Sequence, residues 1–231
     1  MAATTENLSD RKAATAGTRP FLWARLGSLL SILPLGVWTV NHLADNLGAF
    51  KGAEVWERQV TQYNSPISHV ITLVVVLGPL VIHAAWGIQR LFSFRPNNVA
   101  YPFWGNLKYL VQRIAAVGVL LFIGAHLWLA LLHPRLVEGH AEPFSDIASA
   151  MRHHWPTLVV YLLGTLGVAY HLANGVSTFS WMWGAVGGRR SLARFDIVAA
   201  VVFFVVLAMA WGVIYALYQA GAAFPPMGAE T

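Results

Sequence analysis

Polar and apolar positions alternate along this chain in long blocks, not in the short periods of a soluble domain. Five apolar runs stand out, at about 22–44, 67–90, 111–133, 156–183 and 195–220. A helix needs roughly 20 apolar residues to cross the hydrocarbon core of a bilayer, and each run meets that length. Their ends carry the expected punctuation. Arg25 and Asp45 bracket the first, Pro66 and Arg90 the second. The third begins after Gln112 and Arg113 and stops at His133 and Pro134. A fourth opens at Trp155–Pro156, proline being tolerated in a first helical turn, and the fifth follows Arg194 and ends at Gly221, Pro225 and Pro226. The pattern predicts an all-α membrane protein of five transmembrane helices over 21–221, with an N-terminal tail at 1–20 and a C-terminal tail at 222–231.

Composition sharpens this. Of 231 residues, 57% are hydrophobic and 11% charged, whereas an ordinary soluble domain is about one quarter charged. There is no cysteine, which excludes a disulfide, a thiolate-held iron–sulfur cluster and covalent c-type haem in this chain. Neither a G-x-G-x-x-G turn after a strand nor a G-x-x-x-x-G-K-[ST] loop occurs, so flavin and nucleotide sites have no support. The first twenty residues lack the apolar core of a signal peptide and read as a mobile cytoplasmic tail.

The net charge of +5 reports topology and not nucleic acid. With the N-terminus inside, the inner segments hold Arg11, Lys12, Arg19, Arg25, Arg90, Arg95, Lys108, Arg113, Arg189, Arg190 and Arg194. The outer ones hold only Lys51, Arg58, Arg135 and Arg152. This positive-inside bias over short loops puts the N-terminus in the cytoplasm and the C-terminus outside.

Nine histidines are present. His69, His133, His140, His153 and His154 fall at span ends or in loops and read as interfacial polar residues. The other four lie inside apolar runs: His42 in LGVWTVNHLA, His83 in LGPLVIHAAWG, His126 in LLFIGAHLWLA and His171 in GTLGVAYHLANG. Polar groups within hydrocarbon are costly and normally face a partner. His42 lies 16 residues beyond Leu26, His83 16 beyond Ile67, His126 12 beyond Ile114 and His171 15 beyond Pro156. At about 1.5 Å per residue, each is roughly 18–24 Å into a core about 30 Å thick. Because successive helices run in opposite directions, His42 and His126 share the outer leaflet, and His83 and His171 the inner. Two imidazoles at one level suit axial ligation of haem iron, necessarily non-covalent and hence b-type. Zinc or copper also takes imidazole, but further ligands are scarce, with only Asp45 one turn after His42. Gly87, Gly167 and Gly175 lie four residues from His83 or His171, on the same helix face, where they would clear room for a macrocycle or let helices pack closely.

At these residues the sequence resembles the dihaem cytochrome b anchor (the b558 type) of bacterial succinate dehydrogenase and fumarate reductase, the succinate:quinone oxidoreductases. The resemblance runs from about Phe21 to Trp183, carried by RLGSLLSILPLGVWTVNH, GPLVIHAAWGI, VQRIAAVGVLLFIGAH and YHLANGVSTFSWMWG. It implies a five-helix haem-binding bundle with His42 and His126 on the distal, outer haem b and His83 and His171 on the proximal, inner haem b. It also implies a flavoprotein subunit with FAD and an iron–sulfur subunit on the cytoplasmic side of the inner membrane. Membrane quinone, menaquinone or ubiquinone, is then the electron acceptor, and this chain itself holds no catalytic residue. Some dihaem fumarate reductases carry a glutamate, used in proton movement, two residues before the fourth ligand; here that position is Ala169.

Residues that would serve such a subunit can be named. Asp45, Asn46, Ser65, Ser68 and His69 gather at the expected outer ends of the first two spans as candidates for a quinone site, where Asp45 would exchange a proton. They are equally ordinary helix-end residues. Arg25 and Arg113 are candidate propionate partners, or simply topology anchors. The competing readings are the same role in a quinol:fumarate reductase, the cytochrome b anchor of a formate dehydrogenase or hydrogenase, a haem-free transporter, and an inert anchor.

Overall fold

The computed structural model describes residues 21–62 and 66–226, without the side chains of residues 66, 68 and 69. The expected N-terminal tail, Ser65 and the last five residues lie outside the described residues, as do the side chains of Ser68 and His69. Every regular element among the described residues is helical. Five helices are long and apolar enough to cross a membrane: α1 (Phe21–Lys51), α3 (Thr72–Leu91), α4 (Trp104–Glu138), α6 (Trp155–Met182) and α7 (Arg189–Ala223). Between them lie two short helices that the apolar runs did not reveal, α2 (Ala53–Val60) and α5 (Phe144–His153). Several spans outrun the apolar block that predicts them, because a helix continues into interfacial polar residues as long as its backbone bonds are satisfied.

Three of the five spans contain a widened, π-helical turn, and each lies beside a proline. Ser31–Gly36 encloses Pro34, Thr72–Leu77 stands just before Gly78–Pro79, and Trp128–Leu132 precedes Pro134. Proline lacks an N–H and its ring strikes the carbonyl four residues earlier. An extra residue in the turn relieves that clash without breaking the span. α6 has its proline in the first turn, where no such adjustment is needed, and runs as regular α-helix through all 28 residues.

α6 is the central post, packing most extensively against α7 and α4. Small residues make this approach close. Gly164 of α6 receives the Phe122 ring of α4 so tightly that a Cβ there would collide with it. Outward-facing side chains such as Val81, Leu121 and Phe204 are 65–70% exposed, as a bilayer-facing surface requires.

The two ends of the bundle are closed differently. At the end holding the start of α1, Arg25 donates from Nε to the Met182 carbonyl (3.0 Å) and stacks over Phe21 and Trp183. Lys108 pairs there with Asp196 at 2.9 Å, joining α4 to α7. At the opposite end the amphipathic α5 buries Phe144, Ile147, Ala148 and Met151, a three-and-four spacing that lines one helix face. Glu57 of α2 accepts the Phe144 N–H at 2.9 Å, placing a carboxylate at a helix N-terminus where the backbone dipole favours it. Ser149 and His153 then bond the carbonyls of Pro225 and Phe224, tying down the segment after α7.

Candidate functional site

The four intramembrane histidines fall one each on α1, α3, α4 and α6, and they meet as two pairs. His42 and His126 face each other with ring centroids 5.9 Å apart and planes at 69°. For His83 and His171 the values are 6.1 Å and 70°. An imidazole nitrogen sits about 2 Å from a first-row metal, so two such bonds plus the two ring radii span roughly 6 Å. Each pair is therefore separated by the width of one shared metal atom with a ligand on either side. Among the described residues no three His, Cys, Asp or Glu side chains gather at one point. Two nitrogens with nothing else converging suit axial ligation of a macrocycle better than a tetrahedral zinc or copper cage.

The helices bearing each pair are not close-packed partners. Around His42, α1 meets α2 and α7, and α3 meets α1 and, more weakly, α4. The imidazoles thus reach towards each other across space that the backbones leave open. A Cβ on Gly87, one turn beyond His83, would touch nothing within 4 Å. Gly167 and Gly175 differ: Val119 and Ile32 side chains stand 3.4 and 3.7 Å from the corresponding Cβ positions. Those two glycines serve helix approach more than they open a cavity.

Unsatisfied polar atoms point the same way. Among the described residues, five buried side-chain polar atoms lack a hydrogen-bond partner, and four of them belong to His83, Gln112, Arg113 and His171. A buried polar group without a partner costs about 1–3 kcal/mol, and each calls for a water, ion or ligand to satisfy it. Their concentration around one histidine pair fits a polar-edged prosthetic group there. Gln112 already donates from Nε2 to the His171 carbonyl at 3.2 Å, and Arg113 lies close enough for His171 to feel its charge. The residues present fit two bis-imidazole groups, the His83–His171 one with cationic and amide neighbours.

Comparison with known proteins adds one decisive observation. The sequence matches no family model. It is 27% identical over 191 residues to the succinate dehydrogenase cytochrome b558 subunit of Bacillus subtilis (strain 168), covering 81% of this chain and 92% of that one. This chain is a distant homologue of that subunit.

The remaining sequence candidates fare unevenly. In this b558 homologue Asn46 is already engaged: its Nδ2 donates to the His42 carbonyl at 2.8 Å, and its Oδ1 accepts Trp56 Nε1 at 3.1 Å. It clamps α2 to the end of α1 beside the histidine. Asp45 accepts a hydrogen bond from Asn41 Nδ2 at 2.9 Å. Arg25 spends its Nε on the Met182 carbonyl, whereas the Arg113 Nε is buried and unpartnered, so the two arginines are not equivalent.

Several neighbours of the histidines escaped the sequence argument. Trp38 lies flat on His42, 4.6 Å between centroids and 9° between planes. Phe122 stacks on His126 at 5.7 Å. Both precede their histidine by four residues, a same-face spacing that could have been read. Tyr161 and Gln112 come from other helices, and no local pattern marks them.

Proposed function

We propose that this chain is the membrane-anchor cytochrome b subunit of a succinate dehydrogenase, taking electrons from an iron–sulfur partner and delivering them to membrane quinone. The observation that carries the reading is the pair of His–His separations, 5.9 and 6.1 Å, on four different helices. The homology to a succinate dehydrogenase cytochrome b558 subunit supports the choice of complex.

His42 with His126 and His83 with His171 are assigned as the axial ligands of two b haems. When bound, the haems supply one-electron carriers at two depths in the membrane. The chain's own residues hold and surround them. The imidazoles fix position and spacing, Trp38 and Phe122 limit the rotation of His42 and His126 by stacking, and apolar spans exclude water. Arg113 offers its unpartnered guanidinium nitrogen to a propionate, and Arg25, already bonded to a carbonyl, anchors α1. Neither haem ligation nor electron transfer requires a catalytic side chain from this subunit.

The Arg25 end, richest in basic residues, is assigned to the cytoplasm. There the iron–sulfur subunit docks, with the FAD-bearing flavoprotein behind it. Quinone is assigned to the opposite end, where Asp45 exchanges a proton with it. Purification of the intact complex followed by a haem assay tests the whole reading. Two non-covalent b haems per copy of this chain are expected, co-purifying with flavin and iron–sulfur subunits; a haem-free spectrum rejects it. Asp45→Asn is expected to slow quinone reduction with both haems retained, and unchanged turnover removes Asp45 from the quinone site.

A further inference from the structure

The two histidine pairs differ in what stands behind them. Tyr161, on α6, places its hydroxyl oxygen 3.1 Å from His126 Nδ1. Its ring meets His126 edge to face at 5.7 Å and Phe122 at 5.4 Å. The side chain is only 8% exposed and belongs to the main apolar cluster, so water does not compete for the contact. In the other pair, Nδ1 of both His83 and His171 is buried with no hydrogen-bond partner among the described residues. His42 has only the amide of Asn46, at 3.4–3.5 Å from its ring nitrogens.

A neutral imidazole carries one ring proton, and binding a metal through Nε2 forces that proton onto Nδ1. Nδ1–H must then be the donor and Tyr161 Oη the acceptor. Such a partner fixes the tautomer and ring orientation and raises the basicity of the ligating nitrogen. A more basic axial ligand stabilises the ferric over the ferrous state and lowers the potential of the iron it holds.

We infer that Tyr161 is a positioning residue for the outer site, which holds the proton of His126 on Nδ1 and by that bond lowers the outer potential. The inference rests on the haem reading above and deepens it. It gives the chain an asymmetry that the four histidines alone do not have: one of the four has a phenol behind it. Accepting from His126 also leaves the Tyr161 O–H hydrogen for a different acceptor, so the bond does not consume the hydroxyl's donor capacity.

The test is redox titration of the intact complex carrying Tyr161→Phe, followed optically and by EPR. The outer haem is identified by its absence from a His42→Ala complex. The Phe ring keeps the packing against Phe122 and removes only the acceptor. The outer midpoint is expected to rise, with an altered outer EPR signal, two haems still bound and the inner midpoint unmoved. Should the Phe variant fail to assemble, 3-fluorotyrosine at position 161 carries the test at mildly acid pH, where the phenol stays protonated. This weaker acceptor of nearly identical shape is expected to give a smaller rise. Two bound haems with an unmoved outer midpoint in the variant that assembles overturn the inference, as do equal shifts of both midpoints, which a merely structural role would give. Absence of haem from the unmodified complex instead overturns the functional reading on which it stands.

Discussion

His83 and His171 face each other at 6.1 Å between ring centroids, although the helices that carry them are not packed together. α3 leans on α1 and α4, while α6 is occupied with α4, α7 and the widened turn of α1. The backbone therefore does not press these rings together; they meet between helices that are not closely packed on each other, beside the buried polar groups of Gln112 and Arg113. Two imidazoles meeting this way, each with a buried Nδ1 that lacks a hydrogen-bond partner among the described residues, are costly to hold inside a membrane span. The second pair repeats the arrangement within 0.2 Å and 1°, on the other two helices.

Pairing makes a sharp genetic prediction. His83→Ala and His171→Ala are each expected to remove the same half of the haem, and the double variant no more than either single one. His42→Ala and His126→Ala are expected to remove the other half. Haem per complex, measured after acid extraction, together with the surviving optical band, distinguishes this from four independent contributions. Loss of different spectral components from His83→Ala and His171→Ala breaks the pairing.

Ring orientation leads to a spectroscopic expectation. With axial imidazole planes near perpendicular, the two iron orbitals that mix with the ligand π-systems stay nearly degenerate, which makes the low-spin ferric g-tensor strongly anisotropic. Two imidazoles ligating iron at the observed interplanar angles of 69° and 70° would fall in that regime. Low-temperature EPR of the oxidised complex is expected to show two low-spin signals with very large maximal g and broad, weak remaining features. Two ordinary rhombic low-spin spectra would mean that the planes are closer to parallel.

The sequence carried the architecture because membrane insertion is written in long-range composition: about 20 apolar residues are enough to name a span. Histidine inside such a run is equally conspicuous, and counting residues from each span's start already sorted His42 with His126 and His83 with His171 by depth. Other features were not readable. α2 and α5 are amphipathic helices of 8 and 10 residues, too short to stand out from a polar loop until Trp56 and Met151 have something to bury against. Tyr161 meets His126 from 35 positions away, a relationship that only tertiary packing creates. The widened turns lie beside Pro34, Pro79 and Pro134, whose effect on helix geometry was available from the sequence and went unused.

The Gly164–Phe122 contact links packing to the site. A methyl at position 164 collides with the Phe122 ring, and that ring stacks on His126. Overpacking of this kind costs about 1–3 kcal/mol. Gly164→Ala is therefore expected to lower the thermal midpoint of the complex and to disturb the His42–His126 site selectively, with its optical band broadened or lost. The His83–His171 band is expected to survive. Equal damage to both bands would show that the contact matters to the bundle as a whole and not to the neighbouring histidine.

Glu142 lies outside the spans, between α4 and α5, and its carboxyl is pushed up to about 7, first by burial and then by the nearby charges of Asp146 and Glu138. In the unfolded chain it titrates near 4.5. Between those values the folded state binds more protons than the unfolded one, so this group's contribution to stability falls as pH rises from about 4.5 to about 7 and is constant outside that window. Water reaches part of the carboxyl and screens it, which reduces the effect to about 1 kcal/mol, equivalent to about 2–4 °C for a chain of this size. Glu142→Gln cannot ionise and is expected to raise the thermal midpoint by that amount at pH 8 while leaving it nearly unchanged at pH 4.5. Each midpoint is taken as a difference from the unmodified complex at the same pH. A difference of the same size at both pH values would mean that the glutamine acts through packing, with the charge of Glu142 playing no part.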